Sequence, residues 1–91
     1  MIWSQGYKLV MPRAFTEQEK RIIGERLLAE GGKQFATYGL RKTSVEELAT
    51  AAGISKGAFY LFYDSKEALF MEVVEAAERS FRQEVLATVD L

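Results

Sequence analysis

Ser44-Val45-Glu46-Glu47-Leu48-Ala49-Thr50-Ala51-Ala52-Gly53-Ile54-Ser55-Lys56-Gly57-Ala58-Phe59-Tyr60-Leu61-Phe62 is the stretch whose reading decides the fold. Ser44 followed three residues later by Glu47 is a capping box, so a helix starts here. Val45, Leu48, Ala49 and Ala52 recur at helical spacing and mark its inner face. Gly53 stops it, because glycine tolerates the positive φ that a tight turn needs. Ser55 caps the next helix, which carries Phe59, Tyr60, Phe62 and Tyr63. Two short helices crossing through a tight turn need a small residue one turn before the glycine, and Ala49 stands there. Leu48, Ala52, Ile54, Phe59 and Phe62 sit at offsets that fasten both helices to a core. This is the pattern of a helix-turn-helix. An ordinary helical hairpin with an alanine-rich seam is the alternative that shares some of its spacing.

Working outward, Thr16-Glu17-Gln18-Glu19 is another capping box and opens a first helix. Ile23, Leu27, Gly31 and Phe35 follow at four-residue steps, with Tyr38 expected to close the stripe and Gly39 to end the helix. Gly31 falls on the apolar stripe, which predicts close approach by another helix. On the other side, Asp64-Ser65-Lys66-Glu67 holds a cap at Asp64 or Ser65. A long last helix follows, with Leu69, Phe70, Val73, Val74, Ala77, Phe81, Val85 and Val89 on its inner side, although Phe81, Val85, Leu86 and Val89 would be exposed in a monomer. The only proline, Pro12, lies near the start, and no segment alternates with the period of a strand. The class read from these features is all-α.

Composition narrows the function. The 91 residues suffice for one domain, and 48% apolar with 27% charged residues is ordinary for a folded one. The chain has no Cys and no His, so disulfides, thiolate sites, Cys nucleophiles and the commonest general base are absent. Glu46 and Glu47 point about 100° apart on a helix and do not form a catalytic pair. No acid, base, nucleophile and metal cluster converges, so no enzyme, cofactor or metal site is expected. The longest uncharged, weakly polar run is 57–63, far short of the ~20 residues of a membrane span. No targeting segment is recognisable, which makes cytoplasmic the default location. The net charge of −1 conceals a gradient. Residues 33–66 carry Lys33, Arg41, Lys42, Lys56 and Lys66 against three acids, whereas residues 67–91 carry two bases and six acids. A mildly basic middle is compatible with a nucleic-acid reader whose bases converge on one face.

Here a resemblance becomes specific. Phe35-Ala36-x-x-Gly39, Thr43-Ser44-Val45-x-x-Leu48-Ala49-x-x-Ala52-Gly53-Ile54-Ser55-Lys56-Gly57-x-Phe59-Tyr60 and Tyr63-x-Ser65-Lys66-Glu67-x-Leu69 resemble the DNA-binding domain of the tetracycline-repressor (TetR) family. The similarity covers about residues 16–75. It implies a three-helix, homeodomain-like helix-turn-helix head followed by the start of a long fourth helix. It also implies a repressor that binds double-stranded DNA at a pseudopalindromic operator as a homodimer. In the family a larger C-terminal domain dimerises and binds a small-molecule effector, and that domain is absent from these 91 residues. The expected organisation is an extension over 1–15, a DNA-binding domain over 16–75 and a continuation of the fourth helix over 76–91. Met11 is a plausible start in its own right. Residues 1–10 are then either disordered or an arm, with Trp3, Tyr7 and Lys8, that touches DNA or a neighbouring chain.

The resemblance also assigns contacts. The helix from Ser55 is the recognition helix, and Ser55, Lys56, Gly57 and Ala58 face base edges and phosphates in the major groove. Gly57 permits close approach, and Ala58 touches a thymine methyl. Tyr60 and Lys66 correspond to phosphate-contacting positions, while Thr43 and Ser44, with Lys42 just before, meet the DNA backbone. Arg41 is a weaker candidate. Phe62 stands where relatives often carry Tyr or His, so a phosphate contact gives way to apolar packing against sugar or thymine. Tyr63 stands where Phe is usual, so its hydroxyl needs a partner or a path to solvent. A transcriptional regulator is the leading reading. The competing one is a helical interaction module that pairs through Phe81, Val85, Leu86 and Val89 and antagonises a longer relative without binding DNA tightly.

Overall fold

The structure, a computed structural model, describes residues 14–89. The proposed extension over 1–15 therefore lies, up to residue 13, outside the described residues. Four helices follow one another: α1 Glu17–Tyr38, α2 Val45–Ala52, α3 Lys56–Phe59 and α4 Lys66–Thr88. The described residues contain no strand, in agreement with the all-α reading.

Each helix starts where its side chains can satisfy its first amides. At α1 the Thr16 hydroxyl accepts from the Glu19 N–H at 3.0 Å, and the Glu19 carboxylate accepts from the Thr16 N–H at 2.9 Å. Ser44 and Glu47 repeat this arrangement at α2, both bonds being 3.1 Å. At α4 the cap is Ser65 and not Asp64; its hydroxyl accepts from the Ala68 N–H.

One core joins all four elements. Ile23, Leu27 and Phe35 come from α1, Leu48, Ala49 and Ala52 from α2, Phe59 from α3 and Leu69 from α4. Phe59 is completely buried, which contributes roughly 1.5–3 kcal/mol. Helix α4 crosses α1 at Gly31, where a Cβ would lie 3.1 Å from Leu69 Cδ2. The glycine is the space into which Leu69 packs. One turn along α1 from Gly31, the Phe35 ring meets Phe70, the residue after Leu69, edge-on, with centroids 5.2 Å apart.

The turn between α2 and α3 sets the geometry of the pair. Gly53 has φ 80° and ψ 26°, in the left-handed region. Its N–H donates to Thr50 O at 3.0 Å and the Ile54 N–H donates to Ala49 O at 2.9 Å. These two bonds form a Schellman motif, which occupies the last carbonyls of α2 and turns the chain sharply into the Ser55 cap.

Three expectations are corrected. Helix α3 ends at Phe59 and does not continue through Tyr63. Beyond it the Leu61 N–H bonds to Ala58 O and the Phe62 N–H to Phe59 O, three residues back. This tighter winding carries the chain to the Ser65 cap while keeping Phe62 and Tyr63 against the core. Tyr38 does not close the α1 stripe; it is 61% exposed at the last turn, beside an open depression that it shares with the outer side of α2. On α4, Leu69 is buried but Ala77, placed on the inner side, is exposed, because the rod extends past the α1 crossing; beyond it Phe81, Val85, Leu86 and, just after the helix, Val89 are exposed, as expected of a single chain.

The space around Gly53 is open, the nearest atom to an added Cβ being Arg26 Nη1 at 3.6 Å. Substitution there is penalised by backbone strain and not by a clash. Gly53→Val should therefore lose more than ~1 kcal/mol in chemical denaturation, and Gly53→Asn less, since Asn tolerates this conformation. Equal losses would contradict the assignment.

Candidate nucleic-acid interface

Two well-capped helix starts and one face of α3 converge on a polar surface notch. Ser44 and Glu46 come from the start of α2, Lys56 and Tyr60 from α3 and its end, and Ser65 and Lys66 from the start of α4. The first N–H groups of a helix lack intrahelical acceptors and carry a partial positive charge, so such starts attract anions. Lys56 and Lys66 add full charges, and Asp64 and Glu67 line the same notch with opposite sign.

The sequence-predicted residues divide by placement. Lys42, Ser55, Lys56, Gly57 and Tyr60 are exposed, with Tyr60 47% accessible and its ring edge-on to Phe59. Ser55 caps α3 by accepting from the Ala58 N–H at 3.0 Å, and its own proton remains to donate outward. Ser44 is half-buried, and Glu47 takes the proton of its hydroxyl at 3.1 Å. Ala58 is half-buried beside an apolar groove that also includes Phe15, Ile54 and Leu61.

Thr43, Phe62 and Lys66 differ from expectation. Thr43 is 1% exposed, and its hydroxyl donates to Gly39 O at 2.8 Å. A buried hydroxyl bonded within the loop cannot present itself to a partner, so the Thr43 side chain fastens the α1–α2 connection. Phe62 is half-buried against the Phe15 ring, 5.9 Å between centroids. Part of its ring is thus engaged within the protein. Lys66 spends its ammonium on three carbonyls, Leu40 at 2.8 Å, Thr43 at 2.9 Å and Arg41 at 3.2 Å. An ammonium has three donors, so all are used. Lys66 ties the start of α4 to the loop before α2 and places its charge under the notch.

Sequence reasoning missed two groups. Glu46 pairs with Lys56, Nζ to Oε2 at 3.0 Å, between exposed side chains. The hydrogen bond from Lys56 holds the Glu46 carboxyl below its usual range, and the same bond raises the Lys56 ammonium. The residues are ten apart across a turn, a spacing no helical periodicity reveals. The second is Leu61, 67% exposed beside α3. Tyr63 does find the partner its hydroxyl needs, donating to Glu72 at 2.7 Å. Burial first, and the Glu72 carboxylate second, push its phenol pKa up.

Residues 27–73 match the family of bacterial regulatory proteins described as tetR. The chain belongs to the tetR family. Over 51 residues it is 45% identical to the HTH-type transcriptional regulator YerO of Bacillus subtilis, itself uncharacterized, covering 56% of this chain and 18% of YerO. Over 63 residues it is 35% identical to the HTH-type transcriptional regulator AcrR of Shigella flexneri, covering 69% and 29% of the two chains. Over 40 residues it is 48% identical to the HTH-type transcriptional repressor KstR2 of Rhodococcus jostii, covering 44% and 20%. The chain thus spans less than a third of these tetR-family relatives. No solved structure matches it significantly. Among the described residues no helix is long and apolar enough to cross a membrane.

The two lysines of the notch should separate in a stability measurement. Lys66→Met keeps the stem and strands three carbonyls, so it should lose about 1.5–3 kcal/mol. Lys56→Ala should leave the denaturation midpoint unchanged, because its partner is solvated. A neutral Lys66→Met would remove Lys66 from the role of a tie.

Proposed function

We propose that the chain is the DNA-reading head of a transcriptional repressor. Its first α3 turn enters the major groove, with Ser55, Lys56, Gly57 and Ala58 toward the bases. Lys42 and Tyr60 meet the flanking phosphates, Ser44 caps the α2 start beside them, and Lys66 acts as a positioning residue that holds the α2 and α4 starts together. The head comprises residues 16–75, and 76–91 lead toward a ligand-binding and dimerising part. In this reading the protein works as a homodimer on a pseudopalindromic operator, and a small-molecule effector acts through that further part. The names of AcrR and KstR2 support regulation and repression.

The observation that carries the reading is Gly57. It is exposed in the first turn of α3, and a Cβ there would meet only Ser55 Oγ at 3.9 Å. The protein itself has room for alanine. Glycine loses more backbone freedom on folding than alanine, so its presence where alanine would fit points to something outside that must approach closely. A DNA backbone or base edge beside the polar notch fits that requirement.

A second reading, a pairing module that antagonises a longer relative without tight DNA binding, is favoured by α4. Phe81, Leu86, Val85 and Val89 stand exposed there.

Gly57→Ala separates the two. It should raise fold stability by ~0.5–1 kcal/mol and weaken duplex DNA binding in a fluorescence-anisotropy titration, and Tyr60→Ala should weaken it as well. A Gly57→Ala protein that is more stable and binds DNA no less tightly would refute the reading.

A further inference from the structure

The Glu46–Lys56 pair stands at the mouth of the notch, and the reading above leaves it without a role. Lys56 lies on the first turn of α3, and Glu46 lies on the first turn of α2. Their side-chain atoms meet at 3.0 Å with both groups largely in solvent. Lys66 is spent on carbonyls of the α1–α2 loop. Lys56 is therefore the lysine of the notch whose charge can be offered to an incoming phosphate, and a carboxylate from the neighbouring helix already occupies it.

We propose that Glu46 is a specificity-determining positioning residue that holds Lys56 and so restrains sequence-independent binding to the phosphate backbone. This rests on the DNA-reading function proposed above. Phosphate contacts supply nearly all non-specific affinity, through release of counterions condensed on DNA. A lysine already neutralised by Glu46 releases few of them, since a phosphate that takes Lys56 must first displace the carboxylate. The pair also restrains the Lys56 stem on the α3 face, which the reading above turns toward the bases, where discrimination arises. Glu46 costs the fold little, because an acidic residue in the first turn of a helix is favourable in itself.

The test uses the 91-residue chain, a mixed-sequence DNA duplex and four proteins: the parent, Glu46→Gln, Lys56→Ala and the double variant. Gln keeps the size and the helical conformation, and circular dichroism verifies folding. Freeing one lysine for one phosphate should steepen the slope of log K against log salt by about 0.9. The ratio of Glu46→Gln to parent affinity should then fall about 3.5-fold as salt rises from ~50 to ~200 mM. Lys56→Ala alone should change the slope much less, and in the Lys56→Ala background Glu46→Gln should bring no such steepening. An unchanged or weaker affinity for Glu46→Gln, at the parent's slope, overturns the inference. So does a gain that persists in full without Lys56, which would make Glu46 a mere repeller of phosphate. A parent chain with no salt-dependent DNA binding at all overturns the underlying reading and this inference with it, and the parent titration alone reveals that case.

Discussion

The left-handed turn at Gly53 is the constraint on which the rest depends. With φ 80° it closes two hydrogen bonds onto the end of α2 and delivers the chain into the Ser55 cap. Only then do Ala49, Ala52 and Phe59 meet in one core while the opposite side of α3, with Lys56 and Gly57, remains in solvent. A four-residue helix has no stability of its own. It persists because Phe59 anchors it from below and the Gly53 turn fixes its start. The exposed side of α3 is thus held in place by residues on its opposite, buried side.

The second constraint is the Lys66 tie. Its three bonds join the α1–α2 loop to the start of α4, and Thr43 secures the same loop from the inside. Leu69, four positions before Val73 on α4, fills the place that Gly31 leaves open on α1. Together these contacts set the distance between two helix starts that share one notch. A half-buried tie and a packed glycine therefore determine the geometry of an exposed, charged site. The acidic groups at that site matter as much as the basic ones, since the notch carries Glu46, Asp64 and Glu67 beside its lysines. Charge counting along the sequence sees a weakly basic segment; the structure pairs one lysine with Glu46 and ties the head of another to three carbonyls.

Much of this was legible in the sequence, for identifiable reasons. Capping boxes at Thr16 and Ser44 are local, and local signals survive folding, so the starts of α1 and α2 and the stop at Gly53 could be placed from residue types alone. The stripe Ile23, Leu27, Gly31 and Phe35 was readable by period, and the buried role of Gly31 followed from its place in that stripe. What periodicity could not supply was the end of an element or a contact across a turn. Tyr38 continues the α1 stripe on paper but stands exposed beside α2. The aromatic run after Phe59 looks helical, yet the approaching Ser65 cap forces tighter turns. Among the candidate site residues, exposure could be guessed for Lys56 and Gly57. The inward turn of Thr43, the packing of Phe62 on Phe15 and the bonds of Lys66 depend on tertiary neighbours 4 to 47 residues away.

The central claim is that the first turn of α3 and the adjoining helix starts form the DNA-contacting face. Backbone amide chemical shifts of the 91-residue chain, followed during titration with a DNA duplex at low salt, test it most directly. The account predicts that the perturbed amides cluster at 44–46, 55–60 and 65–67 while those of the α1 stripe and of 81–89 stay in place. Shifts concentrated on the exposed end of α4, with 55–60 unmoved, would contradict it.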